Sequence, residues 1–165
     1  PNTSSAASDV YKRQILGFVL VVFGSFGRIW ASLYIEGNKT KNLITAGPFS
    51  MVRNPLYFFS LIMLLGFSLA LKAIYLPLAL LLIFVIFHIP TIANEERKLR
   101  TNHGDKFESY VKSTPRLIPN IFKYKRPENG EKVLVKISRI NGVLIEVIGY
   151  LFLYTLIDII YFILD

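Results

Sequence analysis

Cysteine is absent from this 165-residue chain. That excludes a disulfide scaffold, a thiolate metal site and a catalytic cysteine. His88 has no second histidine or carboxylate at metal-ligand spacing, so no metal centre is expected. No strand-like run leads into a GxGxxG loop. Acidic residues are scarce, 11 against 19 lysines and arginines, and charged residues make up only 18% of the chain. With 53% apolar residues and a mean hydropathy of +0.46, disorder is excluded as well. A nucleic-acid binder would account for a pI near 9.7 but not for that hydropathy, so no nucleic-acid partner is expected. What remains is a basic membrane protein, too short for a transporter with paired repeats.

The opening residues are set aside. Ser4–Gln14, SSAASDVYKRQ, reads as the in-frame translation of a transposon-type sequencing adapter. Residues 1–14 are therefore expected to be an artefact. Residues 15–165 are expected to form a single membrane domain whose natural beginning is missing. Without Asp9, Lys12 and Arg13 the balance is 17 cations against 10 acids, still basic.

Four apolar stretches organise the rest: Ile15–Ile35, Pro55–Leu71, Ala73–Asn94 and Val143–Leu164. The first, third and fourth match the ~20 residues that cross a ~30 Å hydrocarbon core, and the second lies at the short edge of the range. Only helices satisfy every backbone N–H and C=O there, so an all-α integral membrane fold with four transmembrane helices is expected. Loop Glu36–Asn54 carries Lys39, Lys41 and Arg53, stretch Glu95–Gly142 carries twelve cations, and Lys72 stands alone between the second and third spans. Fifteen of the 17 cations thus fall on one face, assigned as cytoplasmic, and the same charge is expected to contact anionic headgroups. Phe107, Tyr110 and Val111, at i, i+3 and i+4, predict a short amphipathic helix on that face. It reads either as an interfacial helix or as a lid.

Three polar clusters meet at the basic face. Gly47-Pro48-Phe49 precedes Arg53-Asn54-Pro55-Leu56-Tyr57, where Pro55 opens a helix and Arg53 and Asn54 sit at its entrance, a place suited to an anion or to a plain helix start. Glu95-Glu96-Arg97 marks the exit of the third span; its carboxylates can accept hydrogen bonds from a ligand or pair with nearby arginines. His103 to Tyr110, then Arg116 and Pro119, follow. Inside the first span Arg28 lies ~10 Å of helix from Ile35 and can snorkel or face Glu95, Glu96 or an anionic substrate group.

In this order the clusters resemble the isoprenylcysteine carboxyl methyltransferase family and the related phospholipid N-methyltransferases, over about Gly24–Pro119. The resemblance implies a membrane-embedded methyltransferase that binds S-adenosylmethionine at the cytoplasmic ends of its helices. Gly47, Pro48, Arg53, Asn54, Pro55 and Tyr57 would line one wall, Glu95 and Glu96 would contact the cofactor from another, and Tyr110, Arg116 and Pro119 would close the lid side. Many relatives carry histidine where this chain has Asn54, so a general base at that position is not expected. A sulfonium methyl needs alignment and desolvation more than proton transfer. Arg53, Arg28 or Arg116 can position a carboxylate acceptor, whereas an amine would call on Glu95 or Glu96 as base. The expected activity is methyl transfer to a lipophilic carboxylate, amine or phenol drawn from the bilayer, in a bacterial inner membrane. Two alternatives are an NADPH-dependent reductase of the sterol-reductase type and a non-catalytic lipid-binding membrane protein. The reductases typically carry an Asp-Asp…Arg-Cys-type stretch in place of Glu95-Glu96-Arg97.

Overall fold

The computed structural model describes residues 3–35, 42–71, 75–127 and 137–164. The expectations placed on Lys39, Lys41, Lys72, Lys132 and Lys136 lie outside the described residues. The described residues form six α-helices: α1 (Thr3–Ile35), α2 (Pro48–Met51), α3 (Pro55–Ala70), α4 (Leu76–His103), α5 (Asp105–Ser113) and α6 (Ile137–Leu164). A 3-10 turn occupies Ile121–Lys123, and a single antiparallel bridge pairs Gly47 with Lys125. The adapter-like residues continue into α1 without a break.

Three segments are long and apolar enough to cross a membrane: Ser8–Ile35 in α1, Leu76–His103 and Asn141–Ile160 in α6. The second expected span falls short, because 16 residues of α3 rise only ~24 Å. Yet α3 is the centre of the bundle. It packs on α1, α4 and α6, and none of its described side chains is exposed, while α4 and α6 turn most of their apolar surface outward. A helix that is apolar all round needs partners on every side, and α3 has them.

The α1–α3 seam rests on glycine, as close helix packing in a membrane does. A Cβ at Gly66 would stand 2.7 Å from the carbonyl oxygen of Gly17, and a Cβ at Gly17 the same distance from that of Gly66. Gly27 gives its space to the Phe59 ring. At the far side of the bundle Tyr154 of α6 packs on Val21 and Phe67 and donates a 2.6 Å hydrogen bond to the Gln14 carbonyl.

Two expectations change. The third span was expected to end at Asn94, but α4 runs on to His103, ~42 Å in all, so its last turns project beyond a ~30 Å hydrocarbon core. It does so through Pro90, which removes the N–H that would bond the Ile86 carbonyl. The amphipathic helix α5 forms as expected, but Phe107 and Tyr110 are buried against the protein, so its aromatic face does not lie on headgroups.

Gly66→Ala should therefore lower stability by about 1–3 kcal/mol through overpacking against backbone. Gly149→Ala, in α6 with open space around it, should leave stability unchanged or raise it by up to about 1 kcal/mol. Thermal unfolding of the two variants in one detergent checks the contrast.

Candidate active site

Pro55 fixes where α3 begins, and Asn54 stands as its cap residue without using its side chain to cap it. The freed amide turns elsewhere. Asn54 Nδ2 donates to Glu96 Oε1 and to the Arg116 carbonyl, 3.0 Å each. Arg53 Nε and Arg116 Nε each approach Glu96 to 3.2 Å, to Oε1 and Oε2 respectively. These are ion pairs by distance; both Nε atoms are buried and lack an aligned acceptor. The Arg53 and Glu96 side chains are only 11% and 14% exposed, so the charges compensate one another in poor solvent.

Backbone bonds reinforce the same junction. Arg53 N donates to Pro115 O and Asn120 N to Met51 O, both at 2.9 Å, so the segment after α5 is strapped across α2 and the start of α3. Gly47 N donates to Lys125 O at 2.8 Å, and Ser50 Oγ accepts from Lys125 N at the same distance. Gly47 has a φ of 61° and lies under the Tyr34 ring, where a Cβ would meet Cζ at 2.3 Å, so glycine is required there twice over. Tyr110 donates a 2.6 Å hydrogen bond to the Phe49 carbonyl. Burial pushes its phenol above the usual tyrosine value, with the Arg53 guanidinium opposing and Glu96 adding to the rise, so it stays a donor.

Two cavities abut above this junction. The smaller, about 80 Å³, is bounded by Arg53, Asn54, Pro55, Tyr57, Glu95 and Tyr110, with apolar walls from Ile44, Phe49 and Leu99. The larger, about 500 Å³, lies among α1, α3, α4 and α6 and is mostly apolar. Tyr57, Glu95, Leu56 and Ile35 line both, so Tyr57 and Glu95 stand on the shared wall.

The larger cavity also has a polar side. Arg28 Nη2 donates to both oxygens of Glu146, at 2.9 and 2.8 Å, Nη1 donates to Ser60, and Tyr150 donates to Glu146 at 3.2 Å. The expected partners of Arg28, Glu95 or Glu96, are thus replaced by an acid from the last helix. His88 lines the same cavity, stacked on Phe84 with ring centroids 4.3 Å apart and edge-on to Tyr57 at 5.6 Å.

Against the sequence expectation, Arg53, Asn54, Pro55, Tyr57, Glu95 and Tyr110 come together around one cavity, and Arg28 faces the next. Gly47, Pro48, Glu96 and Arg116 line neither lobe: the first two shape the α2 turn, and the others are engaged in the ion-pair cluster. Pro119 borders a separate surface groove. Adjacent helical residues point about 100° apart, which is why Glu95 faces the cavity and Glu96 the strap. Sequence reasoning missed Ser60, Glu146 and Tyr150; an acid in the last span opposite Arg28 was the available signal.

The profile of the phospholipid methyltransferase family matches residues 12–106, more than half of the chain. The chain belongs to that family. The match covers α1 to the start of α5 and stops before the strap and α6. Among curated proteins, the nickel-cobalt-cadmium resistance protein NccN of Alcaligenes xylosoxydans xylosoxydans is 33% identical over 106 residues, 64% of this chain and 49% of that one. The cobalt-zinc-cadmium resistance protein CzcN of Cupriavidus metallidurans is 33% identical over 110 residues, 67% of this chain and 50% of that one. The chain spans about half the length of these relatives. No solved structure matches it significantly.

Glu96→Ala leaves Arg53 and Arg116 without their shared carboxylate and should cost roughly 3 kcal/mol, the penalty of a broken buried pair. The expected readout is a lower unfolding temperature together with faster proteolysis between Thr114 and Arg126.

Proposed function

We propose that this family member transfers a methyl group from S-adenosylmethionine to a lipophilic acceptor held in the larger cavity. The observation that carries this reading is that two cavities share one wall, Tyr57 and Glu95, which sets Arg53 and Asn54 of the smaller beside the space of the larger. The 80 Å³ lobe is well below the roughly 300–1,000 Å³ of ligand pockets, whereas the 500 Å³ lobe beside it falls within that range.

The side chains present suit the cofactor's chemistry. Arg53 lines the smaller cavity, and its guanidinium, shared with Glu96, offers a charge to a carboxylate. Glu95 offers acceptors to hydroxyls or to an ammonium. Ile44, Phe49 and Leu99 offer apolar surface to a purine. When bound, the cofactor supplies an electrophilic methyl on a sulfonium. The protein's part is alignment and exclusion of water, to which the mostly apolar walls of the larger lobe contribute. Arg53 lines the smaller cavity together with Glu95, whereas Arg28 faces only the larger, so Arg53 is our choice for positioning an anionic group, and Glu95 for taking a proton where the acceptor is an amine or phenol.

We place the loop face on the cytoplasmic side of a bacterial inner membrane, with α3 as a fourth crossing shortened at the bundle centre. The isoprenylcysteine type of carboxylate and the phospholipid type of amine remain the acceptor chemistries this reading embraces. The relatives' names speak of metal resistance. Among the described residues no three His, Cys, Asp or Glu side chains gather to hold a metal.

Binding of S-adenosylhomocysteine to the purified protein, by calorimetry, is expected and should fall at least tenfold in Glu95→Ala and in Arg53→Ala. A folded sample that binds none overturns the reading and favours a non-catalytic lipid-binding protein.

A further inference from the structure

Most exposed apolar side chains of this protein sit on α1, α4 and α6, where a bilayer accounts for them. One group does not. Ile118, Ile121 and Phe122 are 79%, 67% and 93% exposed, and they lie on the strap after α5, outside every candidate span. Their exposure is enforced rather than incidental. The strap is pinned on both sides of them, by Arg53 N to Pro115 O and Asn120 N to Met51 O before the turn and by the Gly47–Lys125 bridge after it. Asn120 Oδ1 accepts from Phe122 N and shapes the 3-10 turn that presents Ile121 and Phe122.

Charge surrounds the patch. From Ser109 to Pro127 the chain holds five cations, Lys112, Arg116, Lys123, Lys125 and Arg126, and no acid. Arg116 is spent on Glu96, while Lys112, Lys123, Lys125 and Arg126 are exposed, and none of these four forms an ion pair among the described residues. Apolar side chains flanked by exposed cations match a headgroup layer carrying negative charge, which takes the former into its acyl boundary and the latter at its phosphates. Position agrees: the strap is fastened to the entrance of α3 and to Glu96 on the projecting end of α4, the level at which the helices leave the apolar layer.

We infer that the strap segment Ile118–Arg126 is a membrane-surface anchor that inserts Ile118, Ile121 and Phe122 into an anionic lipid leaflet. It takes the role that the sequence pattern suggested for α5, whose own aromatic residues are buried. The inference does not depend on methyl transfer.

The absence of cysteine makes the test direct. Single-cysteine variants Phe122→Cys, Thr101→Cys at the projecting end of α4 and Ile86→Cys on its apolar face carry a nitroxide in bilayer discs. The discs contain phosphatidylcholine alone or with phosphatidylglycerol. Because Phe122 is almost wholly exposed, its replacement removes no packing. The Phe122 label should be more accessible to oxygen and less to a water-soluble nickel chelate than the Thr101 label, and shallower than the Ile86 label. It should move deeper when phosphatidylglycerol is present. That shift should be lost in the background Lys123→Gln, Lys125→Gln, Arg126→Gln. A Phe122 label that matches Thr101 in both bilayers overturns the proposal, as does insertion indifferent to phosphatidylglycerol. Dipolar broadening between Phe122 labels, the mark of a second copy covering the patch, overturns it too.

Discussion

Glu96 holds the polar end of this molecule together. Its carboxylate meets Arg53, Asn54 and Arg116, which come from the α2–α3 turn and from the strap after α5, more than forty residues away in one direction and twenty in the other. Two guanidinium groups and one amide converge on two oxygens in a poorly solvated place, so each partner is costly to keep without the others. The start of α3, the exit of α4 and the path of the strap are consequently fixed relative to one another. The cavity formed by Arg53, Asn54, Tyr57, Glu95 and Tyr110 inherits its shape from that fixation.

A second ion pair does related work inside the bundle. Arg28 and Glu146 join α1 to α6 at the edge of the large cavity, with Ser60 and Tyr150 completing their hydrogen bonds. In an apolar layer neither charge is tolerable alone. Together they give the cavity one polar side opposite walls that are otherwise suited to hydrocarbon. The cavity at the helix ends thus shares a wall with a larger one whose lining is mostly apolar.

Much of this was legible in the sequence, and the reasons differ by feature. Long apolar runs announced the helices α1, α4 and α6, and proline at position 55 announced the start of α3. The pattern Arg53-Asn54-Pro55-Leu56-Tyr57 with Glu95 marked the cavity because those residues stand at helix ends, where local sequence dictates geometry. What the sequence could not supply was the partner of each charge. Glu95 and Glu96 are neighbours of identical chemistry, and only the rotation of α4 sends one to the cavity and the other to the strap. Likewise α5 has an aromatic face by spacing, but whether that face meets lipid or protein is a tertiary fact, decided here by the Phe49 carbonyl receiving the Tyr110 hydroxyl. The depth of α3 was obscured because its burial, not its length, gives it a place in the bundle.

Proline within α4 has a mechanical consequence. The hydrogen bond that Pro90 deletes spans the turn holding His88, on the wall of the large cavity, and precedes Glu95, on the wall common to both. A helix bends most cheaply where its ladder lacks a rung. Bending there would tilt the Glu95–Glu96 end, anchored through the arginine cluster, against the apolar shaft that precedes Ile86. The aperture between the two lobes is thereby tied to the angle of a single helix.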